Sequence, residues 1–195
     1  MDIVIDNATK DDLPALEEIC LLTSDSGADG RHLYSDPRLV SRIYLTPYVL
    51  FDPSSCFVAR IGNRPVGYIV SCTDSEAFYR FLNTEYLPSI RSEFKSAVTE
   101  SDRNIVTMIQ NGVEYETYPD YPAHLHIDIL PEGQHMGLGR TLTETLWAYL
   151  KDRGVKGVYL GVGIANTSAQ AFYARMGYRI MINKPWGKVL VKDLY

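Results

Sequence analysis

Few cysteines and no excess of positive charge narrow this chain before any motif is sought. Its three cysteines, Cys20, Cys56 and Cys72, are odd in number and show no CxxC spacing. Neither a disulfide frame nor a zinc site is therefore expected, no metal is assigned, and a reducing, cytoplasmic location is the default. Lysine and arginine number 19 against 24 acidic residues, a net of −5. Duplex-binding surfaces need a basic field, so nucleic acid is not an expected partner. No run nears the roughly 18 apolar residues of a membrane span, and Met1-Asp2-Ile3-Val4-Ile5-Asp6 lacks the basic start and apolar stretch of a signal peptide. Internal repeats and low-complexity tracts are missing too. What remains is 195 residues, 46% hydrophobic and 22% charged, enough for a buried core. At about 150 residues per domain, residues 1–195 are read as a single domain.

Hydrophobic periodicity places the elements. Ile3, Val4 and Ile5 start a strand, and Leu13, Leu16, Ile19 and Cys20 mark a helix to about Leu22, with Thr9 or Asp11 as its N-cap. A second helix is expected from Asp36-Pro37 and should stop before Pro47. Cys56–Arg60 and Val66–Ser71 read as a hairpin. Helical spacing over about 74–119 predicts an insertion of two or three helical pieces. Its aromatic run of Phe78, Tyr79, Phe81, Tyr86 and Phe94 is read as their core, with an acceptor-site lid as the alternative. Leu125, Ile127 and Ile129 alternate with His124, His126 and Asp128 as a strand should. A glycine-rich turn, a helix ending at Arg153-Gly154, a strand over 158–163, a helix capped by Asn166-Thr167-Ser168, and two strands complete the chain. Trp186 is expected in a turn or a dimer contact.

The turn Gln134-His135-Met136-Gly137-Leu138-Gly139 lies between a strand and a helix. Amides at such a position lack intrahelical partners, and the helix dipole adds about half a positive charge. Glycines let an anion approach the backbone, so phosphate is the expected ligand, and Arg140 can add a charge. Local attraction of this kind lets a net-acidic protein hold a polyanion. A P-loop is excluded because no GxxxxGK[ST] string exists. A dinucleotide fold is disfavoured: Leu142 stands where the third glycine belongs, and Val158–Gly163 supplies no acid for a ribose.

The pattern Q-x-x-G-x-G, followed by Asn166 and, seven residues on, by Tyr173 within Ala171-Phe172-Tyr173-Ala174-Arg175-Met176-Gly177-Tyr178, resembles the GNAT superfamily of N-acetyltransferases. Tyr121–Asp128, Ser24–Asp29 and Leu33–Pro37 further resemble a bacterial branch similar to the acetyltransferase-like domain at the end of O-GlcNAcases. The resemblance implies an α/β (α+β) acyltransferase fold: a mixed, mostly antiparallel sheet flanked by helices, with the helical insertion before its central strand. It implies acetyl-CoA as co-substrate and direct transfer of the acetyl group to a primary amine, on a small molecule or a protein. In that reading the backbone of Ile127, Asp128 and Ile129 pairs with pantetheine. Gln134, His135, Met136, Gly137, Leu138, Gly139 and Arg140 hold the pyrophosphate, Asn166 helps hold the cofactor, and Tyr173 protonates the departing thiolate. A phenol of pKa about 10 suits that last task.

The base is where the chain departs from the family. Some members carry a glutamate five residues before the Asn, and here that position is Gly161. His126 and Asp128 are the candidates put forward instead, with His124 on the same strand face if the strand is regular, and Asp25 or Asp29 reaching in from their loop. A histidine near pKa 6.5 suits proton removal from an ammonium. The competing reading is a non-catalytic module that binds CoA or a protein partner. As to assembly, monomer and homodimer both stay open.

Overall fold

The computed structural model describes residues 2–195. Seven strands form one sheet in the order β1-β2-β3-β4-β5-β7-β6: β1 (Ile3–Asn7), β2 (Phe57–Ile61), β3 (Arg64–Cys72), β4 (Ala123–Ile129), β5 (Gly157–Gly163), β6 (Arg179–Lys184) and β7 (Gly187–Asp193). Every pairing is antiparallel except β4 with β5. The mixed, mostly antiparallel sheet expected from the sequence is what the chain builds.

Among the described residues, eight α-helices flank it: α1 (Leu13–Thr23), α2 (Ser41–Tyr44), α3 (Thr46–Phe51), α4 (Ser75–Phe81), α5 (Leu87–Ile90), α6 (Glu100–Asn111), α7 (Leu138–Asp152) and α8 (Thr167–Arg175). The helix expected from Asp36-Pro37 starts only at Ser41 and, as expected, stops before Pro47, at Tyr44. The chain breaks at Leu45 (φ −136°, ψ −64°) and restarts with Pro47 inside the first turn of α3, where a missing N–H costs nothing. Residues 75–111 supply α4, a π-turn over Leu82–Tyr86, α5 and α6 between β3 and β4. Thr99 and Asp102 cap α6 reciprocally, and the fully buried Asp102 carboxylate also accepts from Ser35 at 2.6 Å, tying the insertion to the loop after α1.

Side chains divide by strand alternation into two cores. Tyr68, Val70 and Cys72 of β3 face α1–α6 with Leu16, Tyr48 and Phe78; Leu138, Leu142, Leu146 and Leu150 of α7 cover the other face with Leu125, Leu160 and Tyr173. The β3–β4 register runs unbroken from Gly67↔Ile129 to Cys72↔His124, with no bulge. His124, His126 and Asp128 therefore do share the α1–α6 face.

Candidate active site

β4 and β5 separate almost at once. They pair only at Ala123↔Val158 and His124↔Tyr159, while β4 runs on to Ile129 and β5 to Gly163. Along Leu125–Ile129 the β5-side edge of the backbone faces a gap. Residues 126–129 are accordingly only half-buried although they lie mid-sheet. A parallel pair that parts this way leaves amides and carbonyls open to an extended ligand.

The glycine turn stands just past the end of β4. His135 (φ 60°) and Gly137 (φ 82°) are left-handed and bracket the exposed Met136, a backbone form that gathers amides into an anion-binding concavity. Among the described residues, the N–H groups from His135 to Arg140 donate to no backbone or side-chain acceptor, whereas Thr141 already bonds back to Gly137 at 3.0 Å. A Cβ at Gly137 would meet nothing within 4 Å, so the space outside this turn is open. These features fit a diphosphate.

Not every residue of the turn faces that space. Leu138 is buried in the α7 core, and Gly139 is a packing glycine: a Cβ there would lie 3.2 Å from the Phe172 ring of α8. Of the two glycines, only Gly137 opens outward. Gln134 turns its amide onto the Ile129 carbonyl at 3.0 Å, and Arg140 pairs with Glu144 at 3.3 Å on the exposed helix surface. Asn166 caps α8, accepting from the Ala169 amide at 3.0 Å.

Tyr173 points from α8 into the sheet, 7% exposed, between Phe172 and Tyr178. Burial raises its pKa, and the Tyr178 and Asp128 charges raise it further. Its hydroxyl has no hydrogen-bond partner among the described residues.

The three polar residues of β4 have different fates. His124 is satisfied at both ring nitrogens, by the Tyr48 hydroxyl at 2.7 Å and by Ser75 Oγ at 2.7 Å. It is a structural histidine. Asp128 accepts from the Tyr68 hydroxyl at 2.5 Å; burial raises its pKa against that hydrogen bond. His126 is enclosed edge-on by Tyr44 and Tyr48 at 5.4 and 5.3 Å, and burial lowers its pKa to about 4. Its free side opens on a cleft. Asp25 and Asp29 do not reach in: Asp29 is forked onto Arg31 at 2.6–3.1 Å, and Asp25 faces His32 at 3.6 Å.

That cleft, of about 820 Å³, starts at Leu125, Leu160 and Gly161 beside the gap and extends under the inserted segment. Tyrosines 44, 48, 79, 115, 118 and 159 line much of it, with Trp186 at its edge. The sequence offers Tyr79 as a core residue or part of an acceptor-site lid and gives most of the other residues no role. They come from five separate segments, and their one shared signal is a high tyrosine count, 14 in the chain. At the glutamate position of the family, a side chain on Gly161 would meet the Trp186 indole at 3.0 Å. Tryptophan, not a carboxylate, occupies that space.

A splayed parallel pair, an open amide turn leading into a helix, and a tyrosine on the next helix together define an acyltransferase architecture. The chain belongs to the acetyltransferase (GNAT) family, whose model matches residues 21–178. Among solved structures it is similar to SsHAT, 30% identical over 100% of both chains with a TM-score of 0.89. It also shares its fold with the PaiA N-acetyltransferase of Thermoplasma acidophilum, solved in complex with coenzyme A, at 16% identity over 99% of each chain and a TM-score of 0.58. A 52-residue stretch is 40% identical to the mycothiol acetyltransferase of Arthrobacter sp. (strain FB24). That match spans 27% of this chain but only 16% of the relative's length.

Proposed function

We propose that this protein is an acetyl-CoA-dependent N-acetyltransferase that acts as one domain and transfers the acetyl group directly to a primary amine. The observation that carries the reading is the early parting of β4 from β5, with the unpaired amides of residues 135–140 following β4 and the unpartnered Tyr173 hydroxyl on α8, the helix that follows β5. Acetyl-CoA supplies an acyl group activated as a thioester. The His135–Arg140 amides and the α7 dipole hold its diphosphate. The free backbone edge of Ile127, Asp128 and Ile129 pairs with the pantetheine amides, and the α8 cap at Asn166 supports the same end of the site.

As the new C–N bond forms and the C–S bond breaks, Tyr173 gives its proton to the departing sulfur. Its raised pKa keeps the phenol protonated across the working pH range. His126 takes the proton that the amine sheds, directly or through water. Burial holds its imidazole neutral well below pH 7 and by the same token weakens it as a base. The preference for His126 over Asp128 rests on the cleft, which His126 lines while Asp128 is engaged by Tyr68.

The motifs around Tyr121–Asp128 support placing the chain in the bacterial branch similar to the O-GlcNAcase domain. Three free, buried cysteines suit a reducing cytoplasm, and no helix among the described residues is long and apolar enough to cross a membrane. Calorimetric titration with acetyl-CoA tests the core of the reading. Micromolar binding with turnover on an amine supports it, and no binding at millimolar coenzyme overturns it in favour of a non-catalytic partner module.

A further inference from the structure

We infer that the acceptor is a primary amine borne on an apolar, ring-shaped body with no negative charge, an arylalkylamine. The inference rests on the transferase reading for where the amine reacts and on the cleft alone for what the cleft admits.

Shape comes first. Trp186, 54% exposed, brings the rim of its indole so close to Gly161 that a single added carbon would touch it. This puts a bare indole at the edge of the gap. Deeper in, Tyr115, Tyr79 and His124 form a continuous stack, with centroids 4.5 and 5.0 Å apart and interplanar angles of 9° and 8°. Tyr118 stands edge-on to Tyr159 at 4.9 Å. Of these rings Trp186 and Tyr115 are exposed, while Tyr79 is covered on both faces and His124 and Tyr159 are buried, so Trp186 and Tyr115 are the rings on which a planar ligand packs.

Charge decides the rest. Glu114, Glu116 and Lys184 are the acid and amine side chains on the cleft wall. Lys184 is held by Glu116 at 2.7 and 2.9 Å, and Tyr118 donates to the same carboxylate at 2.8 Å. These bonds fasten the inserted segment to β6 beside Trp186 and cancel the one positive charge. Glu114 has no partner among the described residues. The cleft therefore carries a single uncompensated negative charge, which attracts an ammonium and opposes carboxylate- or phosphate-bearing acceptors. A sugar fits poorly as well: its hydroxyls would leave water for a wall made largely of rings and aliphatic chains, and unpaired buried polar groups are costly.

The test is calorimetry of phenethylamine, butylamine, glucosamine, spermidine and glycine, each with and without coenzyme A, alongside acetyl-transfer kinetics. Phenethylamine should bind about tenfold more tightly than butylamine, as expected for aromatic stacking in a half-exposed slot, and glycine should not bind. Trp186→Ala should remove the preference through KM, and Trp186→Phe should restore much of it. Equal or tighter binding of any other amine under both conditions, or an undiminished preference in Trp186→Ala, overturns the inference. Failure of acetyl-CoA itself to bind while phenethylamine still does would instead remove the transferase reading and leave the slot.

Discussion

His126 shows how far surroundings move a side chain from its ordinary chemistry. In water an imidazole titrates near pH 6.5; between Tyr44 and Tyr48 it titrates at about 4. If it is the base, the acid limb of kcat/KM lies near pH 4–5 in place of 6.5, because the neutral form persists down to that range. A pH profile on any accepted amine checks this, and a limb at 6.5 would assign the proton to another group. Tyr173 is the complementary case. Its hydroxyl bonds to nothing among the described residues, so Tyr173→Phe removes little from the fold. The variant should lose about a hundredfold in kcat, within the range of general-acid effects, while calorimetry returns an unchanged acetyl-CoA affinity. Wild-type turnover in that variant would retire the role. His126 was legible as a candidate because β4 alternates strictly. The sequence puts His126 and Asp128 ahead of His124 without a local reason; the fold supplies one, since Tyr48 and Ser75 saturate His124 from 76 and 49 residues away in sequence.

Among the elements, the turn into α7 separates two glycines that look alike in sequence. Gly137 is left-handed with open space outside it, so Gly137→Asn, a residue that tolerates this conformation, should fold with a near-normal melt yet bind acetyl-CoA more weakly. Gly137→Val adds backbone strain to the same obstruction and should abolish binding. Gly139 sits against Phe172, so Gly139→Val overpacks the α7–α8 contact and should cost about 1–3 kcal/mol in urea melts. If Gly137→Asn keeps full affinity, the amide turn does not hold the coenzyme. Spacing announced the turn but said nothing of which glycine faces a ligand and which a ring, because that depends on how α8 packs. Pro47 teaches the same lesson: a proline that ends one helix can equally begin the next.

Across the whole molecule, burial of β4's histidines links stability to acid. The unfolded chain protonates His126 near pH 6.5 and the folded chain only near 4, so stability is full above pH 6.5 and is lost as pH falls toward 4. That single group is worth up to about 3 kcal/mol over the window, and His124, also driven down by burial and then by its neighbour His126, acts in the same direction. Below this range Asp102 adds to the loss. Burial works against its charge, but hydrogen bonds from Ser35, Thr99 and Val98 outweigh it and hold the carboxyl low, so protonation favours the unfolded state. Urea melts at pH 7 and 4.5 should show the drop, and His126→Gln should flatten part of it. Equal stability at the two pH values would mean that the histidines are more accessible than their packing indicates.

Strand alternation, caps and the Gln134–Gly139 turn are local patterns, governed by residues within one or two turns of each other, so the family and the strand–turn–helix order after β4 could be read from the chain. The cleft could not. Tyr44, Tyr79, Tyr115, Tyr159 and Trp186 lie as much as 142 positions apart, and each would be an ordinary core aromatic in isolation. Packing of the inserted helices against the sheet, and the parting of β4 from β5, turned those rings toward one space and left one carboxylate there without a partner. The lining of this cleft is thus a property of long-range contacts, which no short stretch of sequence encodes.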